Sequence, residues 1–365
     1  MYSLLLTGDV MLGRGVDQIL PHPCDPSIPD RRASSALEFV HAAERKNGAI
    51  PRAAVADYVW GDAIAVTDKI GPAVRIINLE TAVTTAAQPA HGEITYRMNP
   101  RNADVLRAFR VDCCVLANNH VLDWGRPGLV ETLDTLDSLG IAYAGAGRTD
   151  QGAWRPAVLP GPEGGRVIVL AMADRTSGVP ASWAARATDP GVALLEGSID
   201  ENVSRAADAI RSIKTGDDLA IASIHWGNNW GYGVTSAQFE FAQKLIDQAG
   251  IDAVHGHSSH HPKQIALHRG RPIMFGCGDL LNDYEGIRGN EEFRPDLVAI
   301  YRLKIENTQV CSVTILPFRI RRFRLEQVPF ADAEWLARRI SQHSRTFETA
   351  WIPEPDGTLR VAQIP

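Results

Sequence analysis

The sequence Tyr2-Ser3-Leu4-Leu5-Leu6-Thr7-Gly8-Asp9 joins an apolar run to a glycine and an acidic residue, and related patterns recur along the chain. Apolar runs of this length are typical of strands buried in an α/β protein. Polar side chains that follow such strands gather at one edge of the sheet, where α/β proteins build their sites. Stretches with metal-binding side chains, most of them following an apolar run, are Gly8-Asp9, Asn78-Leu79-Glu80, Asn118-Asn119-His120, His225-Trp226-Gly227, His257, His260-His261 and Gly278-Asp279.

These side chains together predict a metal centre. Carboxylates, an amide and imidazoles form the ligand set of a divalent ion such as manganese, iron or zinc. An isolated Asp after a strand is more often a helix cap or turn former, and an isolated His is more often a core residue. The ordered series favours the metal in each case.

Composition is that of a soluble globular enzyme. The 365 residues are 45% hydrophobic and 22% charged, and the net charge of −6 gives no reason to expect nucleic-acid binding. No apolar stretch approaches the roughly 20 residues that cross a bilayer. The first predicted strand begins at Tyr2 and leaves no room for a signal peptide. We therefore expect a cytoplasmic protein whose five scattered cysteines are reduced.

Strand and helix patterns alternate along the chain. Apolar runs predict strands at 2–8, 74–79, 113–117, 141–144, 166–173, 219–225 and 251–257, and antiparallel strands at 263–267, 272–276, 297–305 and 310–316. Helical periodicity predicts helices near 15–20, 36–46, 54–69, 101–109, 129–139, 201–213, 236–248 and 331–346. We assign residues 1–320 to one domain and expect 321–365, a helix and a strand, to pack on it.

The order Asp9, Glu80, Asn119-His120, His225, His257 resembles that of calcineurin-like metallophosphoesterases. Within that superfamily the chain resembles the CapA group, the capsule or poly-γ-glutamate synthesis proteins. The stretches that carry this resemblance lie between residues 2 and 285 and include 6–14, 78–80, 117–125, 225–227, 140–147 and 270–276. The resemblance implies an α/β fold, a four-layer αββα sandwich of two mixed sheets flanked by helices.

The resemblance also implies roles for the residues. One ion is expected on Glu80, Asn119, His225 and His257, and a second on Asp9, Glu80 and a late histidine, with Glu80 as the bridge. Metal-activated water would be the nucleophile. The resemblance gives His120 the role of protonating the leaving group or stabilising the transition state, oriented by Asp123.

The chain departs from the superfamily in two motifs. Met11 stands where an imidazole is usual, and a thioether is a poor ligand for hard divalent ions. The last motif reads Gly256-His257-Ser258-Ser259-His260-His261, so either later imidazole is a candidate ligand. We favour His260. One tight and one weak site, or two complete sites, both fit this sequence.

Substrate contacts are expected from Arg14, Arg97, Trp226 and His261. Guanidinium groups pair well with carboxylates and phosphates, although a structural ion pair is an equal alternative for each arginine, and Trp226 could instead pack its loop. Asp279 is expected at the rim of the pocket. His255 is predicted to pack in the core, pointing away from His257.

The function predicted from these features is that of a metal-dependent hydrolase. Its expected substrate is a small molecule or polymer with anionic groups. The superfamily favours a phosphate ester, whereas resemblance to CapA favours a γ-glutamyl amide bond. The alternative is a non-catalytic accessory protein of polymer synthesis.

Overall fold

The computed structural model describes residues 1–30, 33–90 and 94–363 as a mixed α/β protein. Its strands are β1 Tyr2–Val10, β2 Val74–Leu79, β3 Ala82–Val83, β4 Arg97–Met98, β5 Cys113–Val115, β6 Ala142–Ala144, β7 Ala146–Gly147, β8 Ala157–Pro160, β9 Arg166–Ala173, β10 Gly191–Val192, β11 Leu219–His225, β12 Ala253–His257, β13 Ile265–His268, β14 Arg271–Met274, β15 Asp279–Leu281, β16 Leu297–Glu306, β17 Gln309–Arg321, β18 Arg324–Gln327, β19 Thr349–Pro353 and β20 Leu359–Gln363. Its helices are α1 Leu37–Asn47, α2 Asp62–Ile70, α3 Asp104–Ala108, α4 Gly125–Leu139, α5 Asp150–Ala153, α6 Ile199–Arg211, α7 Ser236–Gln248 and α8 Phe330–Ser344.

Two large sheets organise the molecule. The first has the order β19-β20-β17-β16-β1-β2-β5-β6, with β15 also pairing with β1 and β18 with β17. The second has the order β13-β14-β12-β11-β9-β8. The central strands of each sheet run parallel, so their carboxyl ends share an edge.

Side chains that alternate along the strands belong to separate hydrophobic clusters. Leu4 and Leu6 of β1 pack with Val169 of β9 and Ile221 of β11 between the two sheets. Leu5, on the other face of β1, belongs to a cluster with residues of α1, α2 and α4. A third cluster joins the far face of the second sheet to α6 and α7. Helices, sheet, sheet and helices therefore pack in succession.

The C-terminal segment extends this architecture. Strands β18 and β20 both pair with β17, and β19 pairs with β20. Leu336 and Ile340 of α8 join the cluster between the sheets.

Within the described ranges, no helix is both long enough and apolar enough to cross a bilayer.

Parts of the predicted secondary structure were wrong, and the helix predicted near 15–20 is only a 3-10 turn at Asp17–Ile19. The helix predicted for 54–69 is only α2, because Gly61 with φ +46° separates it from a single 3-10 turn at Tyr58–Trp60. The strand at 272–276, expected to be antiparallel, pairs with β13 in that way but also runs parallel to β12. Strand β15, Asp279–Leu281 beside β1, was not predicted, since the sequence placed Asp279 after a strand.

The contact between β1 and β15 explains a glycine in the first motif. Asp9 N donates to Gly278 O at 2.9 Å. A Cβ atom at Gly8 would lie 1.6 Å from Gly278 O, so only glycine permits this approach. The close packing places Asp9 and Asp279 in register on neighbouring strands.

Candidate metal centre

The predicted metal ligands come together at the carboxyl edges of the two sheets. Asp9 lies on β1, and Glu80 follows β2, in the first sheet. His225 and His257 end β11 and β12 and are paired directly in the register of the second sheet. Asn119 follows β5 and faces His225, with its Oδ1 atom 2.9 Å from His225 Nε2.

Two asparagines hold the carboxylates in place. Asn78 Nδ2 donates to Asp9 Oδ1 at 2.8 Å and to Glu80 Oε2 at 3.0 Å. Asn118 Nδ2 donates to Asn78 Oδ1 at 3.0 Å, which orients that amide. Neither asparagine was assigned a role from the sequence, although both lie in the motifs that contain Glu80 and Asn119. Their hydrogen bonds fix the Asp9 and Glu80 carboxyl groups close together.

The carboxyl groups of Asp9 and Glu80 have raised pKa values. Burial and the neighbouring Asp279 raise the pKa of Asp9 from 3.8 to about 7. Burial and the neighbouring Asp9 raise the pKa of Glu80 well above its ordinary value. Such shifts mean that negative charge is costly at this buried site and that a bound cation would favour the ionised groups.

A chain of hydrogen bonds fixes the tautomer of His257. His255 Nε2 must donate to Thr7 O at 2.7 Å, since a carbonyl only accepts. Burial lowers the pKa of His255 to about 4, so its ring is neutral and Nδ1 accepts from the Ser223 hydroxyl at 3.0 Å. Ser223 Oγ then accepts from His257 Nε2 at 2.9 Å. The Nδ1 atom of His257 therefore carries a lone pair and no proton.

The same reasoning extends to His225. His225 Nδ1 lies 2.7 Å from His257 Nδ1 and is the donor of that pair. Its Nε2 atom then has a lone pair that faces Asn119 Oδ1. Two acceptors at this separation require either a turned amide group or a cation to which both atoms bind. Burial lowers the pKa of both histidines, which keeps the rings neutral and ready to bind a metal.

The prediction that His255 points away from His257 was wrong. Residues two apart on a strand share a face, and the rings of His255 and His257 lie 5.3 Å apart, centroid to centroid. His255 is buried, as expected, but it contacts the metal centre through Ser223.

His120 lies beside the carboxylates, and contacts with Asp123 and Tyr96 fix the orientation of its ring. Its Nδ1 atom lies 2.8 Å from Asp123 Oδ2, and its Nε2 atom lies 3.8 Å from Glu80 Oε1. The Tyr96 ring packs edge-on against it, with centroids 4.7 Å apart. Asp123 also accepts from Tyr96 N at 2.7 Å. The imidazole thus has one nitrogen anchored and the other directed toward the centre.

His260 pairs with an aspartate in the same way. His260 Nδ1 lies 2.8 Å from Asp279 Oδ1, and Asp279 Oδ2 accepts from Asn282 Nδ2 at 2.8 Å. Although burial opposes the charge on His260, Asp279 raises the pKa of its imidazole. Two groups of three residues each offer ligand atoms that lie within 4.8 Å of one another. The first group is Asp9, His225 and His257, and the second is Asp9, His260 and Asp279. Asp9 is common to both.

Arg14, a predicted substrate contact, is already paired inside the protein. It is 4% exposed, and its Nε atom donates to Asp283 Oδ2 at 2.8 Å. Its remaining nitrogens donate to Tyr96 Oη at 2.9 Å and to Asp30. This geometry favours the ion-pair alternative over contact with a substrate anion.

The other predicted substrate contacts are also engaged with the protein. Arg97 stacks on Trp124, and its guanidinium donates to the carbonyl groups of Ala86 and Asp25. Trp226 is 3% exposed and donates through Nε1 to Phe275 O at 2.9 Å, which is a packing role.

His261 lies among aromatic rings, within 4.7 Å of Phe293 and 4.5 Å of Tyr232 between centroids. Burial lowers its pKa to about 4, and its Nε2 atom has no hydrogen-bond partner among the described residues. His260 offers a potential ligand atom near Asp9, whereas His261 belongs to neither group of potential ligands in the described part of the chain.

A cavity of about 460 Å³ adjoins the centre. His260, Tyr96 and Tyr284 line it, and Trp230 forms part of its wall. Lys46 and Arg288 lie among its lining residues. Its size suits a small ligand or one end of a longer one.

Together the fold and the site define a mixed α/β protein with a candidate metal centre at the ends of its strands. Residues 3–284 match the model of the bacterial capsule synthesis protein family PGA_cap, and the chain belongs to that family.

Several named relatives align with most of the chain. A probable polyglutamine synthesis accessory protein of Mycobacterium tuberculosis is 44% identical over 98% of this chain and 95% of its own length. The PGA biosynthesis protein CapA of Bacillus subtilis is 24% identical over 86% of this chain and 70% of its own length. The capsule biosynthesis protein CapA of Bacillus anthracis is 23% identical over 86% and 67%. The family is thereby linked to capsule and polyglutamate biosynthesis.

Proposed function

We propose that this protein is a metal-dependent hydrolase that cleaves a γ-glutamyl amide or a phosphate ester bond with metal-activated water. The observation that carries the proposal is the convergence of buried carboxyl groups and neutral imidazoles on Asp9. Membership of the capsule synthesis family supports a substrate with anionic groups.

The donor set fits a divalent ion. Asp9, Glu80 and Asp279 are each at most 1% exposed. In the described part of the chain, the salt-bridge partners of Glu80 and Asp279 are imidazoles, those of His120 and His260. Buried carboxylates without a lysine or arginine partner are costly unless a cation is bound. Manganese, iron and zinc all suit this mixture of oxygen and nitrogen donors.

The predicted ligand roles remain part of this proposal. Glu80, Asn119, His225 and His257 would hold one ion, and Asp9 and His260 would contribute to a second. A bound ion supplies an activated water and withdraws charge from the bond that breaks. The layering of two sheets between helices supports the proposed relationship to metallophosphoesterases.

His120 is the proposed proton donor. Asp123 anchors its Nδ1 atom, so Nε2 is free to face the substrate. In the hydrolysis, water loses one proton to the solvent as its oxygen forms a bond to the acyl carbon or phosphorus, and the bond to the leaving nitrogen or oxygen breaks. His120 transfers its proton to that leaving atom, which prevents the release of an unstable anion.

The alternative is a non-catalytic accessory protein, and the name of the Mycobacterium tuberculosis relative favours it. Such a protein would bind a polymer without cleaving it. The His120–Asp123 pair speaks for catalysis, since binding alone needs no anchored proton donor beside the carboxylates.

The two functions can be separated by assaying manganese-loaded and metal-free protein on a generic phosphodiester and on a γ-glutamyl peptide. The hydrolase account predicts turnover of at least one substrate that requires metal and is lost in His120→Ala. Metal binding without turnover of either, alongside binding of poly-γ-glutamate, would support the accessory role.

A further inference from the structure

We infer that Asp279 is a direct ligand of a second metal ion, in a site formed with Asp9 and His260. One potential ligand atom from each residue lies within 4.8 Å of the other two, and all three side chains are buried. The inference rests on the proposed metal centre and adds a ligand that the motif order did not supply.

The strand pairing explains how Asp279 reaches the site. Strand β15 runs parallel to β1 and places Asp279 opposite Asp9. Met11, two residues after Asp9, occupies the place of the usual imidazole, and its Sδ atom lies 3.6 Å from Tyr284 Oη. A thioether contributes little to a hard ion. Asp279 compensates for it from the neighbouring strand.

Electrostatics support the presence of a cation between these groups. The buried carboxyl groups of Asp9 and Asp279 lie opposite each other on β1 and β15, and Asn78 holds Glu80 beside Asp9. His260 alone contributes positive charge to Asp279 within salt-bridge distance, as far as the described residues show. When all three groups are ionised, one imidazolium leaves two negative charges, which a divalent ion can balance.

The ligand types predict which ion binds there. Two carboxylates and one imidazole make a harder site than the first, in which the imidazoles of His225 and His257 join Glu80 and Asn119. Manganese suits such an oxygen-rich site better than the softer, imidazole-rich one, where zinc competes well. The second site should therefore favour manganese over zinc more strongly than the first.

An alternative role for Asp279 is to orient the His260 ring without binding the ion. The hydrogen bond between His260 Nδ1 and Asp279 Oδ1, 2.8 Å long, would serve that role. A carboxylate has lone pairs enough to accept this bond and to bind an ion as well. The substitution Asp279→Asn distinguishes the roles, because it keeps an oxygen that can accept from His260 but removes the charge.

The experiment is a titration of metal-free protein with Mn²⁺, in which electron paramagnetic resonance measures the unbound ion. The natural protein should bind two equivalents. Asp279→Asn should retain the first and bind the second at least about 10-fold more weakly. Asp17→Asn is the matched control: Asp17 is equally buried, accepts from Cys24 N and Asn99 N, and lies outside the site. It should still bind two.

A second substitution strengthens the test. In the Asp279→Asn background, Met11→His restores an imidazole beside Asp9 and should recover the second equivalent. If Asp279→Asn does not fold, the smaller Asp279→Ser takes its place and should show the same loss.

Each contrary outcome has a distinct meaning. If Asp279→Asn binds both ions as the natural protein does, Asp279 is not a ligand, and loss confined to Asp279→Ala would make it an orienting residue. If the natural protein binds one equivalent, the second site is overturned while the proposed hydrolase stands. If it binds none, both are overturned.

Discussion

His120 and Asp123 form an anchored pair, with His120 Nδ1 2.8 Å from Asp123 Oδ2 and His120 Nε2 directed toward Glu80. The pair lies in a single turn after β5, so its geometry is set by local sequence. The same turn carries Asn119, which faces His225 instead. One short loop therefore supplies both a proposed metal ligand and a proposed proton donor.

The first prediction separates these two roles. His120→Ala should leave the metal content nearly unchanged and lower turnover by about 10²–10⁴, the usual contribution of a general acid. His225→Ala should lose metal and activity together. Elemental analysis and rate measurements on the same preparations provide the comparison. Loss of metal from His120→Ala would instead identify His120 as a ligand.

The second prediction concerns the hydrogen bonds that fix the tautomer of His257. Ser223→Ala removes the hydroxyl that accepts from His257 Nε2. The ring can then protonate Nδ1, so metal affinity should fall by about 10- to 100-fold. Ser344→Ala is a suitable control, because Ser344 is equally buried but its hydroxyl accepts from Ile265 N, away from the proposed metal ligands. Equal affinities in the two variants would show that the tautomer is set by other contacts.

The third prediction is the pH dependence of metal binding. The pKa of Asp9 is raised to about 7, so below that pH the metal-free protein keeps a proton that the ion must displace. The pKa values of His225 and His257 are lowered, so these rings are already neutral and release none. Affinity should therefore rise with pH by about tenfold per unit for each displaced proton, up to about pH 7.

Calorimetry of Mn²⁺ binding in buffers of different ionisation enthalpy measures this proton release directly. A proton release that falls as the pH rises through about 7 fits the Asp9 shift, and the raised pKa of Glu80 adds to the release. An affinity that does not change with pH would show that the site binds no proton in its metal-free form.

The fourth prediction tests the structural role of Arg14. Asp283→Ala leaves the buried guanidinium without its bidentate partner and should lower the free energy of unfolding by about 3–5 kcal/mol. Denaturant unfolding measures the change. The exposed pair of Arg107 and Asp104 gives the control, since Asp104→Ala should hardly move the midpoint. Similar midpoints for both variants would mean that Arg14 finds another partner.

The strands and helices that carry strong periodic signals were predicted well. Strand β9 at 166–173 and helix α7 at 236–248 have the predicted bounds, because each is a clear apolar or amphipathic run. Thr235 caps α7 with a capping box, a signal that sequence carries locally. The mixed α/β class followed from the alternation of such runs.

Features that depend on distant pairing were not predictable in the same way. Strand β15 has three residues, too few for a periodic signal, and pairs with β1 some 270 positions away. The repeat of Gly-Asp at Gly8-Asp9 and Gly278-Asp279 was the available clue. The Arg14–Asp283 pair shows the same limit, since a free arginine and a paired one look alike in sequence.

The central claim is that the converging carboxylates and imidazoles hold a divalent metal. Elemental analysis of the purified protein, before and after incubation with manganese or zinc and removal of unbound ion, tests it most directly. We predict at least one tightly held ion per chain, lost in His225→Ala and His257→Ala. A natural protein that retains no ion under any of these conditions would contradict the account.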